Sequence, residues 1–133
     1  MKYLIDTNIC IYVMNQRPPR VIQRFRQFEP GEIVLSIITV CELWYGVAKS
    51  MHREKNQRRL EAFLIPFEIL NFDETAAEAY GHLRVQLEKS AQSIGPLDLL
   101  IAAHALSRKL ALVTNNEKEF KRVQGLKVEN WSK

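Results

Sequence analysis

The segment KYLIDTN, residues 2–8, contains a short apolar run that ends abruptly in polar residues. The run is rich in β-favouring residues, and the amphipathic segment ICIYVM, residues 9–14, follows it directly. This order predicts a buried parallel strand that passes into a helix. Ligands of open α/β sheets bind in the crevice at the carboxyl ends of the strands, so Asp6 is a candidate site residue. The alternative is that Asp6 or Asn8 only caps the helix.

The rest of the chain continues this alternation of strands and helices. Apolar runs predict strands at 33–36, 67–72, 111–114 and 126–129, and helices at about 19–27, 49–64, 75–89 and 97–106. Thr39-x-x-Glu42 has the spacing of a capping box, which makes Thr39 the predicted N-cap of a further helix. In the helix of residues 49–64, Met51 is expected to face the core. Repeated βα units predict an α/β fold with a central, mainly parallel sheet covered on both faces.

The length and amino-acid composition are those of an ordinary globular protein. The chain has 133 residues, of which 47% are hydrophobic and 26% charged, so one domain spanning residues 1–133 is expected and disorder is excluded. We find neither a signal-peptide pattern nor a stretch approaching the ~20 apolar residues of a membrane span. The sequence therefore predicts a cytoplasmic protein with no membrane partner.

The cysteines and histidines show no metal-site spacing. Cys10 and Cys41 form no Cys-x-x-Cys motif, so we interpret both as reduced, buried small hydrophobes rather than as a disulfide or a zinc pair. His52, His82 and His104 fall within helical patterns. We interpret all three as structural or surface residues.

The net charge of +4 favours a polyanionic partner. Positive residues cluster in the segments 17–26, 49–59 and 118–127. Each cluster alone is typical of a solvated helix face. Three clusters in one basic domain indicate a nucleic-acid surface, although the aromatic stretch of an RNA-recognition module is missing.

Acidic and amide side chains recur at one predicted edge of the sheet, at strand ends or in first helical turns. They are Asp6, Glu42 and Asp98, with Asn116 and Glu119 behind them. Asp98 stands out because it is a carboxylate in a helix that is apolar nearly all round. A favourable helix dipole contributes ~0.3–1 kcal/mol, which is small against the cost of burying a lone charge.

An oxygen-only cluster of this kind suits a hard cation, Mg²⁺ or Mn²⁺. On a basic protein, carboxylates around such a metal indicate phosphodiester chemistry, in which the metal stabilises developing charge and acidifies a water molecule. Neither a Ser-His-Asp arrangement nor a Walker loop competes with this interpretation.

At four places the chain resembles PIN-domain proteins, specifically the VapC family of toxin ribonucleases. The matching segments are LIDTN at 4–8, S-x-x-T-x-x-EL-x-YG at 36–46, IGPLD-x-x-IAAHA at 94–105 and VTNN-x-x-EF at 113–120. The resemblance implies Asp6, Glu42 and Asp98 as metal-site acids. It places Asn116 and Glu119 in the family's last motif, and it implies that Thr7, Ser36 and Thr114 orient carboxylates or water.

The resemblance also implies a fold, a substrate and partners. The fold is a PIN-like three-layer α/β/α sandwich with a central, mainly parallel sheet of four to five strands. The substrate is RNA, with a transfer RNA anticodon loop as our specific expectation. The implied partners are a second copy in a homodimer and a cognate VapB-like antitoxin in a hetero-oligomer, and promoter DNA is contacted only through the antitoxin.

A rival from another class is a non-catalytic metal- or RNA-binding regulatory α/β module. A receiver domain of that class pairs its acceptor aspartate with a lysine after a late strand, where this chain has Asn115-Asn116. A dehalogenase-like phosphatase needs Asp-x-Asp after the first strand, and Asn8 stands where the second acid belongs. We therefore favour the nuclease.

Overall fold

The computed structural model describes residues 2–29 and 31–133. Their strands and helices follow in the order β1 (Tyr3–Ile5), α1 (Thr7–Met14), α2 (Pro19–Phe25), β2 (Ile33–Ser36), α3 (Ile37–Ala48), α4 (Arg53–Leu64), β3 (Glu68–Leu70), α5 (Glu74–Lys89), α6 (Pro96–Ser107), β4 (Ala111–Val113), α7 (Glu117–Phe120) and β5 (Val128–Glu129). Among these residues, we find no helix of the length and apolar character that crossing a membrane requires.

The strands of the described residues form one five-stranded sheet in the order β3-β2-β1-β4-β5, and every neighbouring pair is parallel. β1 is central, with Tyr3 opposite Ile33 on one side and Ala111 on the other. Because all strands run in one direction, their carboxyl ends meet at the same edge. The α/β fold and the mainly parallel sheet predicted from the sequence are confirmed.

Both faces of the sheet are buried, because successive residues of a strand point to opposite faces. Leu4 and Leu112 join a core with residues of α5 and α6. Ile5 and Val113 join a second core with residues of α1 to α4. The result is a three-layer α/β/α sandwich whose carboxyl edge is left for polar side chains.

The predicted capping box of α3 is wrong. Ser36 is the N-cap, and its Oγ accepts a hydrogen bond from the Ile38 N–H over 3.1 Å. Thr39 lies inside the helix, fully buried. Serine and threonine cap helices almost equally well, and here β2 passes directly into α3, so the cap falls on the last strand residue. Glu42 consequently lies in the second turn of α3 rather than the first.

Two side chains predicted to be buried are exposed. Met51 is 95% exposed, because it precedes α4, which begins only at Arg53. Cys41 lies on the exposed side of α3, whereas Cys10 is fully buried as predicted. Both cysteines are free thiols, in agreement with the prediction that they form no disulfide.

Candidate active site

Asp6 lies at the carboxyl end of the central strand and is 5% exposed. Its Oδ1 accepts a hydrogen bond from the Ile9 N–H over 3.0 Å, so Asp6 is also the N-cap of α1. The pKa of Asp6 is raised to about 6, mainly because burial disfavours the charged form, with a smaller contribution from the negative charge of Glu42. Hydrogen bonds from the Thr114 hydroxyl and the Ile9 N–H offset part of this shift. Asp6 thus caps a helix and also holds a charge in an unfavourable environment.

Glu42 reaches the same edge from α3 and is half-buried. Thr7, the first residue of α1, donates a hydrogen bond from its Oγ1 to Glu42 Oε1 over 2.6 Å. This bond holds the Glu42 carboxylate beside the start of α1, next to Asp6. The structure therefore brings together two acids that are 36 residues apart in the sequence.

Asp98 enters the site from the first turn of α6, which begins at Pro96 as predicted. Its pKa is raised to about 7, first because of burial, then because of the negative charge of Glu119 and a hydrogen bond with that residue. The charges of Asp6 and Glu42 raise the pKa of Asp98 further. Four carboxylates therefore lie close enough to repel one another across this edge.

Glu119 and Asn116 border the site from α7 and its N-cap. Glu119 Oε1 accepts a hydrogen bond from the Gly95 N–H over 2.8 Å, and its Oε2 accepts one from Asn116 Nδ2 over 3.1 Å. Asn116 Nδ2 also lies 3.5 Å from Asp98 Oδ2. The bond from the Gly95 N–H is the main reason why the pKa of Glu119 is lowered. Because the pKa of Asp98 is raised and that of Glu119 is lowered, Asp98 is the more readily protonated carboxyl of the two.

These side chains fit a hard divalent cation in donor type and in charge. All the donors are oxygens, and the raised pKa values of Asp6 and Asp98 record an excess of negative charge that a cation would relieve. Within residues 2–29 and 31–133, no three acidic, histidine or cysteine side chains already converge as a metal cluster. A cation held by Asp6, Glu42 and Asp98 would favour the charged form of Asp98 and would relieve the repulsion among the carboxylates.

Of the three hydroxyl groups predicted to orient carboxylates, two contact a carboxylate and one does not. Thr7 contacts Glu42, and Thr114 contacts Asp6. The Oγ of Ser36 instead accepts from the Ile38 N–H and lies 2.7 Å from His104 Nδ1, and we find no bond from it to a carboxylate among the described residues.

The contact between His104 and Ser36 was not predicted from the sequence. His104 is fully buried, whereas His52 and His82 are exposed. The sequence does contain a signal for a buried polar contact: like Asp98, His104 is a polar residue in a helix that is otherwise almost entirely apolar.

A polar cleft of about 490 Å³ opens between α2 and the C-terminal residues. One face of α2 and the residues from the end of β5 onward line it with Arg20, Gln23, Arg24, Gln27, Glu129, Asn130, Trp131 and Lys133. Glu129 lies opposite Val113 at the carboxyl ends of β5 and β4, whereas Trp131 packs on Tyr3 at the start of β1. Arg24 pairs with Glu129 at 3.5 Å, whereas Arg20 is exposed and forms no ion pair with another described residue.

A largely apolar groove of about 270 Å³ is lined in part by Glu42. Side chains of α1, α3 and α4 line it, among them Ile11, Met14, Leu43 and Leu60. The groove thus joins an apolar surface to an acid of the site.

The chain matches the family model of the PIN domain over residues 3–126. It is 41% identical over 132 residues to a tRNA(fMet)-specific endonuclease VapC from Shigella flexneri, with 99% of each chain covered. It is 44% identical over 134 residues to ribonuclease VapC2 from Rickettsia felis, with 100% of each chain covered.

Solved structures give the same result. A crystal structure of VapBC2 from Rickettsia felis, bound to a DNA fragment from its promoter, superposes with a TM-score of 0.92. Its matching chain is 43% identical, and the match covers 98% of this chain and 99% of that one.

Proposed function

Because this chain belongs to the VapC family of PIN-domain ribonucleases, we propose that it is the toxin of a type II toxin–antitoxin pair and a Mg²⁺- or Mn²⁺-dependent endoribonuclease. PIN-domain nucleases generally depend on divalent metal ions. The observation that carries the proposal is the group of three carboxylates, Asp6, Glu42 and Asp98, at the carboxyl edge of the sheet. We take residues 1–133 as one PIN domain that acts in the cytoplasm.

In this proposal Asp6, Glu42 and Asp98 hold the cation, because their negative charges act on one another at the same edge of the sheet. Glu119 and Asn116 contribute through Asp98, since both contact its carboxyl group. Thr7 and Thr114 keep the carboxylates of Glu42 and Asp6 in place. A bound divalent ion supplies Lewis-acid chemistry, which polarises the scissile phosphate and makes an attacking water more acidic.

In the metal-free site the pKa of Asp98 is raised to about 7, so Asp98 can give up its proton near neutral pH when a cation binds there. Hydrolysis of the phosphodiester by water in this proposal leaves a 3′-hydroxyl and a 5′-phosphate.

The polar cleft is the proposed path of the RNA backbone. It begins at the same sheet edge as Asp6, and Arg20 offers an unpaired guanidinium to a phosphate. The second basic segment, residues 49–59, includes Arg59, which lines the groove beside Glu42, and this segment can hold the strand beyond the cleaved bond. A single-stranded loop fits between two such surfaces because its phosphates can be splayed out. A tRNA anticodon loop is the proposed target, supported by a relative described as specific for tRNA(fMet).

The apolar groove beside Glu42 is the proposed seat of a VapB-like antitoxin, because a segment bound there also covers the site. The solved relatives include VapBC2 from Rickettsia felis bound to a DNA fragment from its promoter and DNA-bound VapBC from Salmonella typhimurium. We propose that this chain likewise forms a homodimer and a hetero-oligomer with its antitoxin, and reaches promoter DNA only through that partner.

Cleavage of total tRNA by antitoxin-free protein tests the function. Wild-type protein is incubated with tRNA in Mg²⁺ or Mn²⁺ and in EDTA, with Asp6→Asn purified in parallel to reveal contaminating nucleases. We expect discrete fragments from the wild type in metal only. If the folded wild type and the variant give the same pattern, tRNA cleavage is contradicted, and a binding module or another RNA substrate takes its place.

A further inference from the structure

Ser36 and His104 form a fully buried contact at a distance from the carboxylates. Both residues are 0% exposed, and His104 Nδ1 lies 2.7 Å from Ser36 Oγ. Ser36 caps α3, the helix that carries Glu42, and His104 lies on α6, the helix that carries Asp98. The contact therefore joins the two helices that deliver acids to the site.

The positions of these four residues define how the helices are aligned. Ser36 precedes Glu42 by six residues, and His104 follows Asp98 by six residues. The two helices pack against each other, and the charge of Glu42 acts on Asp98. α3 and α6 therefore run antiparallel, with the Ser36–His104 contact at one end of the pair and the two acids at the other. At 1.5 Å per residue, each acid lies roughly 9 Å along its helix from the contact.

The contact is specific rather than merely space-filling. Among the described side chains, Ser36 is the one to which the imidazole of His104 hydrogen-bonds, and the backbone of Asn71 also contacts the ring. Replacing a buried hydrogen-bonded pair by apolar groups of the same shape can be nearly neutral for stability. The directional hydrogen bond instead favours one alignment of α6 against α3, whereas apolar contacts alone would allow several.

We propose that Ser36 and His104 are positioning residues: their bond fixes the alignment of α3 against α6, and so sets the separation of the Glu42 and Asp98 carboxylates. This inference rests on the proposed function, because the separation matters for cation binding. A displacement on the order of 1 Å is enough to weaken a site of this kind.

The test compares variants of the full-length chain by their affinity for Mn²⁺, measured by titration calorimetry well below the melting temperature. His104→Phe keeps an aromatic ring beside Phe72, which packs edge-on against His104 at 5.3 Å between centroids, but removes both nitrogens. Ser36→Gly removes the hydroxyl and leaves a residue that N-caps tolerate. His104→Asn keeps an amide group near the position of Nδ1. Leu83→Ala, in the core between α5 and α6, is the control for lost stability alone.

We expect both His104→Phe and Ser36→Gly to weaken Mn²⁺ binding about tenfold or more, as loss of a supporting group around a metal does. His104→Asn should recover part of the loss, and Leu83→Ala should bind Mn²⁺ normally despite a lower melting temperature. Normal affinity in both His104→Phe and Ser36→Gly overturns the inference, as does an equal loss in Leu83→Ala. If His104→Phe does not fold, Ser36→Gly decides alone.

Crystal structures of the metal-free wild type and variant separate this inference from the proposed function. A changed distance between the Glu42 and Asp98 carboxylates supports the positioning role even if the wild type fails to bind Mn²⁺, a failure that would count against the proposed function. If the wild type binds Mn²⁺ and the distance between the Glu42 and Asp98 carboxylates is unchanged in the variant, the positioning role is overturned and the proposed function stands.

Discussion

Thr7 Oγ1 donates a hydrogen bond to Glu42 Oε1 over 2.6 Å, joining the first turn of α1 to the second turn of α3. Asp6 caps the same first turn, so one short segment both presents an acid and orients another. Loss of the Thr7 hydroxyl should therefore act on the site through Glu42 rather than through the fold.

We predict that Thr7→Val lowers RNA cleavage and Mn²⁺ affinity by roughly 10- to 100-fold, the usual effect of removing a group that orients a metal ligand. Valine keeps the shape of threonine and removes only the donor. Thr7→Ser retains the hydroxyl and should stay near wild type. Cleavage rates and Mn²⁺ titrations check both variants, and a fully active Thr7→Val would show that Glu42 needs no such support.

Asp98→Asn should leave the metal-free protein at least as stable as the wild type. Asp98 faces Glu119, Asp6 and Glu42, and its removal relieves repulsion on the order of 1 kcal/mol per near neighbour at water-like screening. Thermal melts at pH 8 in EDTA and in Mn²⁺ measure the effect. We expect Mn²⁺ to raise the melting temperature of the wild type and to raise that of Asp98→Asn much less. A variant that melts well below the wild type in EDTA would instead assign Asp98 a structural role in α6.

The stability of the metal-free protein should fall as pH rises through the pKa range of Asp6. In the folded chain this pKa is about 6, against an ordinary value of 3.8 for an aspartate side chain. Between these two values the folded state binds more protons than the unfolded state, so stability decreases with pH there and levels off above about pH 7. The shift corresponds to roughly 3 kcal/mol for a group as buried as Asp6.

Other carboxyls also titrate in this range, and some act in the opposite direction; the pKa of Glu119, for example, is lowered. The measurement is therefore the difference in unfolding free energy between wild type and Asp6→Asn from pH 4 to pH 8, in EDTA. Asparagine caps helices as well as aspartate does, so the cap is preserved in both proteins. We expect the wild type to lose stability relative to the variant as pH rises. A difference that does not change with pH would contradict the raised pKa of Asp6.

Local signals were enough to predict the sheet and the edge at which the acids meet. Each signal lies within a few residues of the acid it locates. An apolar run ends at Asp6, and Pro96 begins the helix that carries Asp98. The cap of α3 was misassigned because Ser36 and Thr39 are both suitable caps, and the choice depends on where β2 leaves the sheet. The contact between Ser36 and His104 joins residues 68 apart and could not be predicted, since helix periodicity carries no information about which helix packs alongside.

Arg20 provides the sharpest test of the proposed RNA path, because it is the exposed cation of the polar cleft for which the described residues supply no ion pair. Arg24 is less suitable, since its removal would also release Glu129. We predict that Arg20→Gln weakens RNA binding and lowers the salt dependence of log Kd by roughly 0.7, the value for one phosphate contact on a single strand.

Binding is measured from 50 to 300 mM salt in an Asp98→Asn background, so that the RNA stays intact. Arg108→Gln is the matched control, because Arg108 is the C-cap of α6 and lies at the opposite end of that helix from Asp98. The change in charge is the same in both variants, so a purely long-range effect of net charge would lower the two slopes equally. A slope lowered by Arg20→Gln alone assigns a phosphate contact to the cleft, whereas equal slopes would contradict the proposed RNA path through the cleft.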